Sequence, residues 1–181
     1  MNKTYLAGGC AYFVLQIALS GTALAQTKEQ DPSGFEVIVV TAQKRSQALQ
    51  DVPVAVSALT AKELESRGVD ETSDLQGFVP SLQITTPYGR TQPNFALRGV
   101  SVANEFNAST ASPVGVYVDE VYQSFRASHG QQLYDLERVE VLRGPQGTLY
   151  GRNTTGGAIS FVTNKPELVD TTGTLSVGYG N

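Results

Sequence analysis

A chain of 181 residues is long enough for one ordinary domain, and 40% hydrophobic residues can supply a packed core. Thirteen Lys and Arg against 17 Asp and Glu give a net charge of −4, which argues against a nucleic-acid ligand held by phosphate attraction. One Cys (Cys10) and one His (His129) exclude a disulfide framework, a Cys-based zinc site and a His cluster, so no metal or cofactor is expected.

The 18 Gly and only 17% charged residues suit a turn-rich β protein. Lys3, the mostly apolar stretch from Tyr5 to Leu19 and the Ala23-Leu24-Ala25 site read as a secretory signal peptide over residues 1–25. The apolar run is shorter than the roughly 20 residues that span a bilayer. Cys10 follows Ala7-Gly8-Gly9, but too few apolar residues precede it for a lipoprotein signal.

Residues 26–50 read as a flexible polar tail interrupted by one dense β-branched run, Phe35-Glu36-Val37-Ile38-Val39-Val40-Thr41. That run is open to two readings: the first strand of a sheet, or a peptide that adds to the edge of a partner's sheet. Val52 to Ser57 reads as a strand, with Pro53 tolerated near its start. Thr60 and Glu63 have capping-box spacing, and Gly68 can end a short helix over Ala61 to Arg67. Ser73 and Gln76 repeat the spacing ahead of a second helix carrying Leu75, Phe78 and Val79 and stopping before Pro80. Both helices are too short to stand alone and must pack on a sheet.

Strands are expected at Leu82 to Thr85, Asn94 to Val100, Val114 to Val118 (three valines on one face), Val121 to Gln123, Arg138 to Arg143 and Ala158 to Thr163. Ser101 to Ser112 reads as a loop, and Asp119-Glu120 as a tight hairpin turn. Gly144, Gly147, Gly151, Gly156 and Gly157 crowd one stretch, where the backbone is expected to need positive φ or close approach to a neighbouring surface. Gly151 and Gly156 have the outer spacing of a phosphate loop, but Gly157-Ala158 replaces its Lys and Ser/Thr, so nucleotide binding is not expected. Asp119 and Glu120 have no evident nucleophile to serve, so no enzyme activity is expected, and His129 reads as a surface residue. Thr171 to Gly180 starts a new alternation.

Five blocks in order, EVIVVTAQKR (Glu36 to Arg45), DVPVAVSAL (Asp51 to Leu59), LRGV (Leu97 to Val100), VGVYVDEVY (Val114 to Tyr122) and LERVEVLRGPQGTLYGRNTTGGAISFVTNKP (Leu136 to Pro166), resemble the plug domain of TonB-dependent outer-membrane receptors. The last block is long and specific, and the shared order of all five carries the resemblance over nearly the whole mature chain. It implies an α+β plug over residues 51–166: a small mixed β-sheet with short helices and long loops. It implies that Glu36, Val37, Ile38, Val39, Val40 and Thr41 are the TonB box, which pairs with the C-terminal domain of TonB in the periplasm by strand addition. Arg98 and Arg143 match two arginines that, in the family, face barrel glutamates and lock the plug in place. Glu120 stands where the family often has Gly, which disfavours a type I′ turn.

The implied function is energy-coupled uptake of a scarce nutrient through the outer membrane, with a ferric siderophore as the commonest substrate class. Residues 167–181 would begin the first barrel strand. One strand cannot close a membrane barrel, so the chain is expected to be a piece of a longer receptor. The rival expectation is a soluble periplasmic plug-only module that binds TonB as a decoy.

Overall fold

The computed structural model describes residues 37–42, 44–107, 109–130, 133–166 and 173. The expected signal peptide, the tail as far as Glu36 and the expected barrel strand over 167–181, apart from Gly173, lie outside the described residues. A two-stranded hairpin comes first, β1 (Val39–Val40) and β2 (Gln47–Ala48), followed by a 3-10 turn at Leu49–Asp51. Then come β3 (Ala55–Thr60), α1 (Ala61–Ser66), a 3-10 helix at Thr72–Gly77, and the hairpin β4 (Leu82–Thr85) and β5 (Asn94–Leu97). β6 (Val114–Val118), β7 (Val121–Tyr122), a 3-10 turn at Arg126–Ser128, β8 (Leu136–Arg143), α2 (Gly147–Tyr150) and β9 (Gly157–Thr163) complete it.

β3, β8, β9, β6 and β7 lie side by side in that order. β6 and β9 run parallel and every other neighbour is antiparallel, so the sheet is mixed, as expected. Successive side chains alternate between its faces. One face carries Leu59, Val114, Val116, Val139, Val141, Ile159 and Phe161, covered by Leu64 of α1, by Leu75 and Val79, and by Leu82, Phe95 and Leu97 of the β4–β5 hairpin. The valines expected on one face of β6 are on this one, with Val118 at its margin. The other face carries Tyr117, Leu142 and Ala158 and is closed by Val40 and Ala42, with Ile38, Leu49, Val52 and Tyr150 at its edges. In the stretch expected as a flexible tail to residue 50, Val40 and Ala42 are therefore packed on the sheet and Val39–Val40 pair with Gln47–Ala48.

The Thr60–Glu63 capping box is made in both directions. The second expected helix is instead a 3-10 helix, and Ser73–Gln76 is not its cap. The Asp74 carboxylate accepts the Glu71 N–H at 3.0 Å, while the Gln76 amide oxygen accepts the Ile84 N–H at 2.7 Å and so ties that helix to β4. β3 begins three residues later than expected, at Ala55, because Ala55 pairs with Arg143, the last residue of β8. Among the described residues, Val52 to Val54 have no strand opposite them. β5 stops at Leu97 rather than Val100. Arg98 (φ 52°) and Gly99 (φ 79°) turn the chain, and Leu97 and Val100 exchange backbone hydrogen bonds across them. Asp119 (φ 46°) and Glu120 (φ 68°) likewise adopt the left-handed conformation that a primed hairpin needs, despite the absence of Gly. Asp119 gains compensating bonds, its carboxylate accepting the Thr163 N–H at 2.9 Å and the Thr163 hydroxyl at 2.8 Å.

The glycine cluster was expected to allow close approach, and Gly157 shows it: a Cβ there would lie 2.3 Å from the Leu142 carbonyl oxygen and 2.6 Å from Leu97. Gly147 has open space around it. Gly157→Ala is expected to lower stability by about 1–3 kcal/mol, and Gly147→Ala to leave it unchanged or raise it by up to about 1 kcal/mol, as measured by urea unfolding. Equal effects of the two changes would contradict this packing.

Candidate functional site

The β-branched segment Val37 to Thr41 is held by two sets of polar groups. In β1, Val39 pairs with Ala48 and Val40 with Gln47. Val37 and Val39 are exposed, whereas Val40 and Ala42 are fully buried. Thr41 does not continue the ladder. Its N–H donates to Glu140 Oε1 at 2.8 Å and its hydroxyl to the same oxygen at 3.1 Å. Glu140 lies in the middle of β8 with no exposed surface, and a buried carboxylate needs a counter-charge. Arg138, two residues back on the same face, supplies it: Arg138 Nε donates to Glu140 Oε1 at 2.7 Å, and Nη2 reaches Thr41 Oγ1 at 3.4 Å. Nη1 of Arg138 also contacts the half-exposed Glu137.

Tyr150, at the end of α2, holds the next peptide groups. Its hydroxyl donates toward the Ala42 carbonyl at 3.1 Å and the Thr41 carbonyl at 3.4 Å. Tyr117 packs edge-on against the Tyr150 ring at 5.0 Å and donates its hydroxyl to the Tyr150 carbonyl at 2.6 Å. Burial, then the nearby carboxylates of Glu140 and Glu120 and the Tyr117 ring, push the Tyr150 hydroxyl up to about 12, so it stays a donor at neutral pH. A cleft of about 440 Å³ opens beside the segment, lined by Val39, Thr41, Asp119, Glu120, Arg138 and Lys165 among others. Glu36 lies outside the described residues.

Of the two arginines singled out in the sequence, Arg143 ends β8 and Arg98 reaches the turn that follows it. Arg98 is exposed on the strained turn after β5. Its Nη1 lies 3.4 Å from where a Cβ on Gly144 would stand, so its guanidinium rests against the residue that follows Arg143. Arg143 is half-buried and its Nε is buried with no hydrogen-bond partner. Among the described residues, neither arginine forms an ion pair.

A third polar node corrects the reading of His129 as a surface residue: it is buried at 3% exposure and packs 6.0 Å from Phe95. Its Nε2 meets the Gln123 carbonyl at 3.0 Å. Beside it, buried Arg126 donates to the carbonyls of Asn107 at 2.7 Å and Glu105 at 3.4 Å, and Asn94 donates to the Glu105 carbonyl at 3.3 Å. The polar loop 101–112 is thus pinned from below by its backbone oxygens.

Residues 48–158 match the family model of the TonB-dependent receptor plug domain. The chain belongs to that family. The pesticin receptor of Yersinia enterocolitica is 38% identical to it over 151 residues, covering 83% of this chain and 22% of the relative. The iron-regulated outer membrane virulence protein of Vibrio cholerae is 28% identical over 165 residues. Among solved structures, the ferric yersiniabactin uptake receptor of Yersinia pestis superposes with a TM-score of 0.57 at 37% identity, over 63% of this chain and 17% of the receptor. The ferripyoverdine receptor of Pseudomonas aeruginosa, at 19% identity and a TM-score of 0.59, shares the fold. The chain spans about a fifth of the length of the curated relatives it matches.

The residues that sequence reading missed are Arg138, Glu140, Tyr150 and Arg126. An Arg-x-Glu pair inside a strand flanked by valines was the available signal, because residues two apart share a face and this one proved to be buried.

Two outcomes follow for the plug in isolation. Arg98→Ala and Arg143→Ala are each expected to change unfolding free energy by no more than about 0.5 kcal/mol, since neither side chain has a charge partner within the described fold; a large loss would mean that they hold the plug's own structure together. Burial pushes His129 below its usual 6.5, the Gln123 hydrogen bond opposes this and Arg126 adds to it. The folded state therefore keeps the ring neutral where the unfolded chain would protonate it. Stability is complete above pH 6.5 and declines as pH falls below it. His129→Gln is expected to flatten that part of the pH–stability profile, and an unchanged slope would contradict the assignment.

Proposed function

We propose that this plug belongs to a receptor for energy-coupled uptake across the outer membrane, with a ferric siderophore as substrate. The observation that carries this reading is that the Arg98 guanidinium lies against Gly144, the residue after Arg143, while neither arginine forms an ion pair among the described residues. Two cations without ion pairs, one with a buried and unpartnered Nε, fit a surface that is completed by acidic groups from outside the plug, because desolvated charges need partners. Glutamates on the wall of a surrounding barrel supply them. The likeness to the ferric yersiniabactin uptake receptor of Yersinia pestis, at 37% identity, supports iron-chelate uptake as the substrate class. On this reading the signal peptide over 1–25 directs export. The segment Glu36, Val37, Ile38, Val39, Val40 and Thr41 faces the periplasm and pairs with TonB. The loops at the other end meet the substrate, and residues 167–181 lead into the barrel.

In a receptor carrying this plug, Arg98→Ala together with Arg143→Ala is expected to loosen the plug and admit an antibiotic that the intact receptor excludes. Unchanged exclusion, with the receptor present at normal amounts, would sink the lock assignment. Val39→Pro removes a ladder donor and fixes φ. It is expected to abolish capture of the plug by the purified C-terminal domain of TonB in a pull-down. Undiminished capture would count against strand addition at this segment.

A further inference from the structure

We propose that Arg126 is a positioning residue for the loop surface: buried beneath loop 101–112, it joins that loop to segments 86–93 and 123–130, so that the three present one preformed face and answer a contact as one body. What that face meets rests on the reading that these loops meet the substrate; the joining of the loops does not depend on it.

The joints are made on main-chain groups. Arg126 is only 6% exposed, and among the described residues it forms no ion pair. Its charge goes instead to two neutral acceptors, the carbonyls of Asn107 at 2.7 Å and Glu105 at 3.4 Å. A guanidinium is a rigid planar fork that can hold two acceptors in a fixed geometry, and these two lie on either side of Phe106. Asn94, at the start of β5, donates to the Glu105 carbonyl at 3.3 Å, and the Tyr88 hydroxyl donates to the Phe106 carbonyl. Three successive carbonyls of loop 101–112 are thus held by side chains from the other two segments and from β5. Phe106 itself is left 72% exposed, with the Tyr88 ring edge-on to it at 6.3 Å.

A further joint links the remaining pair of segments. Gly130 donates its N–H to the Thr91 carbonyl at 3.2 Å, and a Cβ on Gly130 would lie 2.1 Å from the Arg90 carbonyl oxygen. His129 beside it packs on Phe95 of β5 and meets the Gln123 carbonyl, which fixes the short turn that carries Arg126. Burial alone does not call for an arginine here, since an apolar residue fills such a place without the cost of desolvating a cation. Only the fork holds the carbonyls on both sides of an exposed aromatic, and a surface ordered in advance loses less freedom when it binds.

The test reads backbone amide order parameters by NMR relaxation in the chain and in Arg126→Met, Arg126→Lys, Gly130→Ala and Tyr88→Phe, with urea unfolding alongside. No ligand enters the measurement, so its outcome is separate from that of the substrate reading. In the chain, the amides of Tyr88, Phe106 and Phe125 are expected to be ordered, with order parameters of about 0.85. Arg126→Met is expected to keep the unfolding midpoint while the order parameter at Phe106 falls below about 0.6. Arg126→Lys keeps the charge without the fork and is expected to restore only part of that order. Gly130→Ala strikes segment 86–93 and is expected to loosen Phe106 as well. Tyr88→Phe removes one hydroxyl, is expected to loosen Phe125 together with Phe106, and keeps the test open if Gly130→Ala does not fold. Loss of order confined to the segments that each substitution touches would overturn the joining. An ordered Phe106 in Arg126→Met, whether or not the unfolding midpoint falls, would overturn the role of Arg126.

Discussion

A carboxylate in the middle of a central strand must be given a counter-charge and hydrogen bonds or it unfolds what surrounds it. Glu140 is in that position. The register puts Ala58 of β3 on one side of it and Ser160 of β9 on the other, with Tyr117 of β6 next in the row. None of these neighbours carries a charge. Arg138 on the same strand is the counter-charge, and Thr41 adds two hydrogen bonds to the same oxygen, Oε1. The N-terminal segment is therefore part of the solution to a problem posed a hundred residues later in the chain, and the second face of the sheet closes only when that segment is in place.

The two faces of the sheet are held by different physics. The first is a continuous apolar core under α1, a 3-10 helix and the β4–β5 hairpin, and its stability grows with buried area. The second is small and is closed by a hairpin of two-residue strands. An isolated two-stranded hairpin is marginal in water, so this one stays down through its contacts with the sheet: Val40 and Ala42 by burial, Thr41 by the ion pair, and the peptide after it by Tyr150. Few groups hold it, and polar groups can be exchanged for equivalent ones on a partner.

The opposite end of the strands shows a charge requirement that the described fold does not meet. Arg98 is presented on a tight turn at φ 52°, a conformation that costs a non-glycine residue free energy and tends to persist where function requires it. Gly144, with φ 101° and no Cβ, lets the Arg98 guanidinium rest beside the residue after Arg143. Among the described residues neither arginine forms an ion pair, and the Arg143 Nε is buried without a hydrogen-bond partner.

Much of the architecture was legible in the sequence. The capping box at Thr60 and Glu63 fixed where α1 starts, the alternation of Val114, Val116 and Val118 fixed the face of β6, and the block around Arg143 and Gly144 carried the family. These signals are local, and local geometry alone reads them. Three things were decided only by the tertiary structure. β3 starts at Ala55 because β8 runs out at Arg143, and no residue near Val52 encodes the length of a strand ninety positions away. His129 lies in a polar stretch but is buried, because Phe95 and the Gln123 carbonyl come to it through folding. Arg138 and Glu140 alternate with valines as solvent-facing residues would. A period of two specifies that they share a face, but not whether water or another strand covers it. Here Thr41 and Val40 cover it, and the long-range contact turns two apparently exposed charges into the fastening of the N-terminal strand.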